Sequence, residues 1–417
     1  MPLTKLERLV KEFGNSVYWN WSALTANSNI SMEFIKDNPQ LHWDYRIGLA
    51  NNPNLDEITV IRNIETIDPV ELSKWTGLTC FLIDLVIETR KAFTRFNFDE
   101  ISINIHVSEI EKKIDSRLWN WEKVSYNRSL TIDFVKIHSN KNWNWEVLSK
   151  HRNITIDDII DNPDLPWNYV HVSGNPNLTL DGMKRLPNTS WSKYLLSRND
   201  ALTVDMINYV NSLHDPQITS YWNMTIISSH RNITMKDIED NPQILWNYGS
   251  ICENPNLTVE FFKKNIQRIS TQAHELSGGG YHIRNIIEFI EKIPEYNWEW
   301  TNISNSPYIT PEFIERNMDK KWSYFNLSQN CQISQKYFEE NMDANDYGIG
   351  WNISKLSQNC NFTVDFVKKH KDKLCFAGLS SNRFNCGRKQ KIIKAIFISN
   401  SLKVPDDIKK YIIRNFV

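Results

Sequence analysis

The chain has 417 residues, a formal net charge of −1 and 23% charged residues. That length exceeds what one ordinary hydrophobic core organises. The near-neutral balance excludes the global basic footprint of a nucleic-acid or anionic-membrane binder. The longest apolar stretch, 80–87, is interrupted by Asp84 and is far too short to span a bilayer.

Residues 1–18 begin MPLTKLERLVKEF, a charged amphipathic helix over 3–13 without the apolar core of a signal peptide. They are expected to cap the N-terminal end of a repeat array that begins at Trp19. The first residue of the repeat recurs at Trp43, Trp119, Trp143, Trp167, Trp191, Trp222, Trp246, Trp298, Trp322 and Trp351, with a spacing of 24 from Trp119 through Trp191. Counting that Trp as position 1, position 3 is usually aromatic (Trp21, Trp121, Trp145, Tyr169), position 6 aliphatic (Leu24, Leu148, Val172) and position 13 Thr or Ser (Ser31, Thr155, Thr179). Position 17 is apolar again (Ile35, Ile159, Met183). The copy at Trp43 carries one extra residue.

The second half of each repeat reads as a short helix. Thr155 is a good N-cap, because its hydroxyl can accept a bond from a free N–H of the first turn. Asp157 suits the positive end of the helix dipole, and Ile154 with Ile159 is spaced as a hydrophobic staple. Asn38-Pro39, Asn162-Pro163 and Asn241-Pro242 stop the helix, since the residue before proline is pushed out of the α region. The first half, 143–149 in one copy, fits a helix buried on two sides or a strand with positions 1 and 3 on one face. Little β-branched enrichment at positions 4 and 5 favours the helix.

A unit of 24 residues cannot bury its apolar face alone, whereas successive units can. The expected fold is therefore an all-α solenoid of roughly 24-residue repeats, each a pair of short helices, with capping helices at both ends. The repeats run over 19–373. The signature fades at 56–118 and at 263–297, which read as degenerate repeats. Residues 374–417 keep a trace of the repeat and end in two predicted helices, 389–398 and 405–416, as the C-terminal cap. Sixteen Trp are present. The eleven at position 1 are read as repeat core, each worth up to about 4–6 kcal/mol of burial.

Chemical motifs are few. Gly278, Gly279 and Gly280 lack the Lys-Ser/Thr of a phosphate loop. Cys80, Cys252, Cys331, Cys360, Cys375 and Cys386 form no CxxC and fit reduced thiols. His151 and His230 at position 9, and His138 and His370 at position 20, stand where other copies carry Asn, and they read as turn or cap substitutes rather than zinc ligands. Asn153, Asn232 and Asn256 head glycosylation sequons, taken as by-products of a turn Asn next to a helix cap. No catalytic constellation, cofactor site or metal site is expected, and no nucleic-acid or membrane partner.

The pattern W-[ND]-[WY], then N-P-N-[IL]-T, stands here as WNWSALTANSNISMEF from Trp19 and WNYGSICENPNLTVEFF from Trp246. It resembles a repeat common in proteins of amoeba-infecting giant DNA viruses, the mimivirus-like ones above all. The resemblance implies a viral protein in the host cytoplasm or the virion, and it transfers no site residues. The expected function is a non-enzymatic scaffold that binds protein partners through the variable positions 4, 5, 8 and 10. The alternative is a structural or packaged virion component. An enzyme with a site at 56–118 or 263–297 is the third reading.

Overall fold

A computed structural model describes residues 3–382, apart from 91–94, 117, 187–189, 214–220, 274–282, 284, 329–334, 342–344, 347–348 and 359–361. Among the described residues the chain forms 29 short α-helices and one antiparallel pair of two-residue strands, Asn345–Asp346 with Ile349–Gly350. Its contacts divide it into two compact units, Met1–Asp56 with Trp300–Val417, and Glu57–Glu299. The expected helices at 389–398 and 405–416, the glycine run 278–280 and Cys331, Cys360 and Cys386 lie outside the described residues.

The first half of most described repeats is about one helical turn, as in Trp145–Leu148 and Tyr169–Val172. Position 1 is not part of it. The Asn between the two aromatics is the N-cap: Asn144 accepts from the Val147 amide at 3.1 Å and Asn168 from the His171 amide at 3.2 Å. A four-residue helix is unstable by itself, so this cap and its neighbours decide whether it forms. The second half is the expected helix, Ile156–Asp161 in one copy, with Thr155 and Asp158 forming a reciprocal capping box at 3.1 and 2.8 Å. Asn162 ends it at φ −126° and ψ 60°, outside the α region, and its backbone carbonyl accepts the Trp167 indole N–H at 2.8 Å. Trp43, Trp143, Trp246 and Trp322 make the same bond to the carbonyl five residues back. The Trp therefore satisfies an orphan carbonyl at a helix end while its ring is buried.

Adjacent repeats are joined by buried polar side chains. Ser149 at position 7 donates to its own Trp145 carbonyl at 2.7 Å and accepts the Asn168 amide of the next repeat at 2.8 Å. Ser125, Ser173 and Ser228 accept the corresponding amides of Asn144, Ser192 and Asn247 at 2.9 Å. At position 9, Asn175 donates to the carbonyls of Ser149 and Ile154 in the preceding repeat, and Asn254 to those of Ser228, His230 and Ile233. At position 11, Asn177 donates to the carbonyls of Arg152 and Ile154. Edge-to-face contacts of position 3 on the next position 1 accompany these bonds, with Trp121–Trp143 at 5.2 Å and Trp145–Trp167 at 5.3 Å.

In 57–118, where the signature fades, polar joints persist. Within 57–118 the helices Pro69–Leu72 and Phe98–Asn104 stand in the place of first-half turns. Ser73 and Ser102 accept the amides of Asn97 and Asn120 at 2.9 and 3.1 Å, and buried Ile67 fills a Trp position. The extra residue after Trp43 is absorbed in a wider turn, Leu49 amide to Asp44 carbonyl at 2.9 Å, so no α-helix forms there. Gly48 in that turn lies so close to the preceding repeat that a Cβ would come within 2.8 Å of the Thr25 Cβ.

The sequence predicts an end cap at residues 1–18. In the first compact unit, helix Lys5–Phe13 is instead bonded on both sides. It has Thr4 as its N-cap, and Trp19 donates to the Gly14 carbonyl at 2.9 Å, the bond that Trp43 and Trp143 make at their own repeat starts. Glu7 accepts from the Ser31 amide at 2.9 Å, and Glu12 pairs with Lys368 at 3.0 Å. The repeat register continues between Phe376–Ser380 and Trp19. The Asn20 amide donates to Ser380 Oγ at 3.0 Å, Asn27 donates to the carbonyls of Ser380 and Asn382, and Phe376 meets Trp19 edge-to-face at 5.0 Å. Residues 374–382 and 4–14 therefore form one composite repeat.

Candidate functional site

With positions 7, 9 and 11 committed to the joints, the exposed residues of a repeat fall in both halves: Asp157, Asp161 and Asp164 stand in solvent on the second half, and positions 4, 8 and 10 supply most of those on the first. Position 4 is exposed at Glu122, Glu146, Val170 and Tyr194, and position 8 at Tyr126, Lys150 and Arg198. Position 10 is exposed at Arg128, Arg152, Pro176, Asp200 and Arg231. Positions 4 and 8 share a helix face, and Arg198 lies over the Tyr194 ring at 4.6 Å. Position 5, expected to be variable and exposed, turns inward at Val147 and Ser250, which are buried. Helix geometry explains this, since position 5 follows position 4 by 100° and faces the neighbouring repeat.

The backbone at position 10 is held from outside its own repeat. Asn153 Nδ2 donates to the Arg128 carbonyl at 2.8 Å, and Asn256 Nδ2 to the Arg231 carbonyl at 2.7 Å. The exposed residues of position 10 thus stand on fixed backbone. Ion pairs on this surface, such as Arg231–Asp200 and Arg185–Asp157 at 2.6 Å, are solvent-exposed and contribute about 0–1 kcal/mol each.

Of the eleven position-1 tryptophans, Trp19, Trp43, Trp119, Trp143, Trp167, Trp191, Trp246, Trp298 and Trp322 are buried, whereas Trp222 and Trp351 are half-buried. Trp222 comes 31 residues after Trp191 rather than the usual 24, and it donates to the Asn211 side chain at 2.9 Å instead of a helix-end carbonyl.

His151 and His230 are buried at the joints and take the place of the ladder Asn. Burial holds both imidazoles below their ordinary pKa. His138 sits against the Phe134 ring at 4.7 Å, and His370 lies 2.7 Å from Glu339. The sequon Asn153, Asn232 and Asn256 each use Nδ2 in two bonds to the preceding repeat. Cys80 and Cys252 are buried thiols, and burial pushes Cys252 up to about 12. A thiolate is disfavoured at both, which suits packing rather than nucleophilic chemistry.

Among the described residues no three His, Cys, Asp or Glu side chains come together to hold a metal ion, and no helix is long and apolar enough to cross a membrane. Sequence reasoning missed the buried Ser and Asn of positions 7 and 9. Their signal was recurrence within this one chain, Ser125, Ser149, Ser173 and Ser197 with Asn127, Asn175 and Asn199. No protein-family model, no curated protein and no solved structure matches the chain.

Proposed function

We propose that the chain is a non-enzymatic scaffold of the solenoid type that binds protein partners through positions 4, 8 and 10 of its repeats. The resemblance of its repeat to those of giant viruses sets this activity in the host cytoplasm or in the virion. The reading is carried by a division of labour inside each repeat. The recurring Trp, Ser, Asn and Thr serve packing, joints and caps, while residues that differ from copy to copy stand in solvent at positions 4, 8 and 10 of several repeats, those of position 10 on clamped backbone. Backbone that is already held loses little further freedom on binding, which favours recognition. Chemistry at a single centre would instead need a unique convergent set of groups.

The test uses the triple variant Glu146→Ala, Lys150→Ala, Arg152→Ala of the full chain. None of the three side chains makes a bond at positions 7, 9 or 11; Glu146 lies 3.5 Å from His171 of the next repeat in an exposed contact, and surface changes of this kind alter stability by about 0.5 kcal/mol or less. The parent should capture a defined protein from infected cells, and the variant should lose it at an unchanged melting temperature. Capture that is identical for both assigns binding to another surface. No captured partner, together with high copy number in purified particles, replaces the scaffold reading with a structural role in the virion.

A further inference from the structure

We propose that His151 and His230 make two joints of the second compact unit acid-sensitive, in a row of position-9 side chains where Asn127, Asn175, Asn199 and Asn254 do not titrate. The Asn amide at position 9 is a fixed donor and acceptor in one group. Asn175 Nδ2 donates across the joint to the Ile154 carbonyl at 2.9 Å, and its Oδ1 accepts the Asn177 amide at 2.9 Å. Titration changes neither role.

The imidazole copies both roles with its two nitrogens. His151 Nε2 lies 3.1 Å from the Asn127 carbonyl, and the Asn153 amide donates to His151 Nδ1 at 3.2 Å. His230 repeats the arrangement, with Nε2 3.1 Å from the Asn199 carbonyl and the Asn232 amide 3.2 Å from Nδ1. The backbone partners dictate the tautomer. A carbonyl requires hydrogen on Nε2, and an amide N–H requires a bare Nδ1. The neutral Nε2–H ring is the one form that satisfies both.

A proton added at Nδ1 sets an N–H against the amide N–H of Asn153 or Asn232. Those two residues carry the second clamp of the same joint. Asn153 Nδ2 holds the carbonyls of Arg128 and Leu130 at 2.8 Å, and Asn232 Nδ2 holds those of Asp200 and Leu202 at 2.8 and 3.1 Å. Protonation therefore strikes the turn that makes two further bonds to the preceding repeat. The charged neighbours act with this geometry at His151, where Arg152 opposes a second positive charge. At His230, Arg231 opposes it and Asp200 favours it.

The sign comes from linkage. Both rings are depressed in the folded chain, so the unfolded chain binds more protons as pH falls below the ordinary histidine value of about 6.5. The stability of the two joints is complete above that value and is lost as pH drops through the folded pKa.

Melting of the full chain at pH 7.5 and at pH 5.0 tests the proposal. The variants are His151→Asn, His230→Asn and their combination, each restoring the residue that other repeats carry. The combined variant should match the parent at pH 7.5 and exceed its Tm at pH 5.0 by on the order of 2–4 °C per ring. Asn175→His should add a third joint and widen the acid loss. Imidazole proton NMR of the parent supplies a second measurement, with two rings that titrate below free histidine. Equal acid losses in parent and combined variant, or two rings with ordinary titration midpoints, would overturn it.

Discussion

Asn175 shows how one small polar side chain can matter more than its size suggests. It is fully buried and makes bonds on both sides of a joint. Asn175→Ala leaves the Ser149 carbonyl and the Asn177 amide without their Asn175 partner and takes one of two donors from the Ile154 carbonyl, which keeps Asn177, so equilibrium denaturation should register a loss of about 2–3 kcal/mol. Asn175→Asp should cost more, because a carboxylate has no hydrogen to give the two carbonyls and carries a buried charge. That excess should shrink as pH falls through the carboxylate range. Ser149→Ala removes the acceptor of the Asn168 amide and should cost about 1–3 kcal/mol. Lys150→Ala, one residue further along and exposed, should change stability by less than about 0.5 kcal/mol. A Ser149→Ala variant as stable as Lys150→Ala would remove the hydroxyl from the joint. These residues were hard to read from sequence for a physical reason. Ser and Asn in turns are ordinarily surface residues, and only a partner a full repeat away makes them internal.

The helical turn is the next scale. Thr155 and its equivalents were legible because the cap signal is local: a hydroxyl, an acidic first turn and flanking aliphatics all lie within a few residues. Thr155→Ala should lower stability by about 1 kcal/mol, read as a shift in denaturation midpoint at constant slope. The first-half turn was ambiguous because four residues carry too little periodicity to separate helix from strand. Its identity rests on the Asn cap at position 2, which aromatic neighbours on both sides obscured. Position 1 packs its ring and bonds its indole at once, so Trp143→Ala should cost about 3–5 kcal/mol. The half-buried Trp222, bonded to an Asn side chain, should cost less when truncated. Equal losses at the two sites would show that burial does not set the contribution of position 1.

At the scale of the molecule, the helical class was legible, and the period stands in the sequence itself, whereas which variable positions face solvent was not: position 5 turns inward at Val147 and position 4 at Gly249. The composite repeat was not legible. Leu379 and Phe376 preserve a trace of the motif, but nothing local tells that the second half of that repeat is helix Lys5–Phe13. Complementarity between segments 353 residues apart is a tertiary property. Its polar bonds match those at the internal joints in kind and length, so both segments should stand or fall together. Gly378 adds a steric condition, since a Cβ there would approach the Ser354 carbonyl to 2.6 Å. Amide hydrogen exchange of full-length Asn27→Ala against the parent tests the joint most directly. Protection should fall both at 20–30 and at 376–382. Loss confined to 20–30, with 376–382 exchanging as in the parent, would contradict the account that buried side chains at position 9 hold one repeat to the one before it.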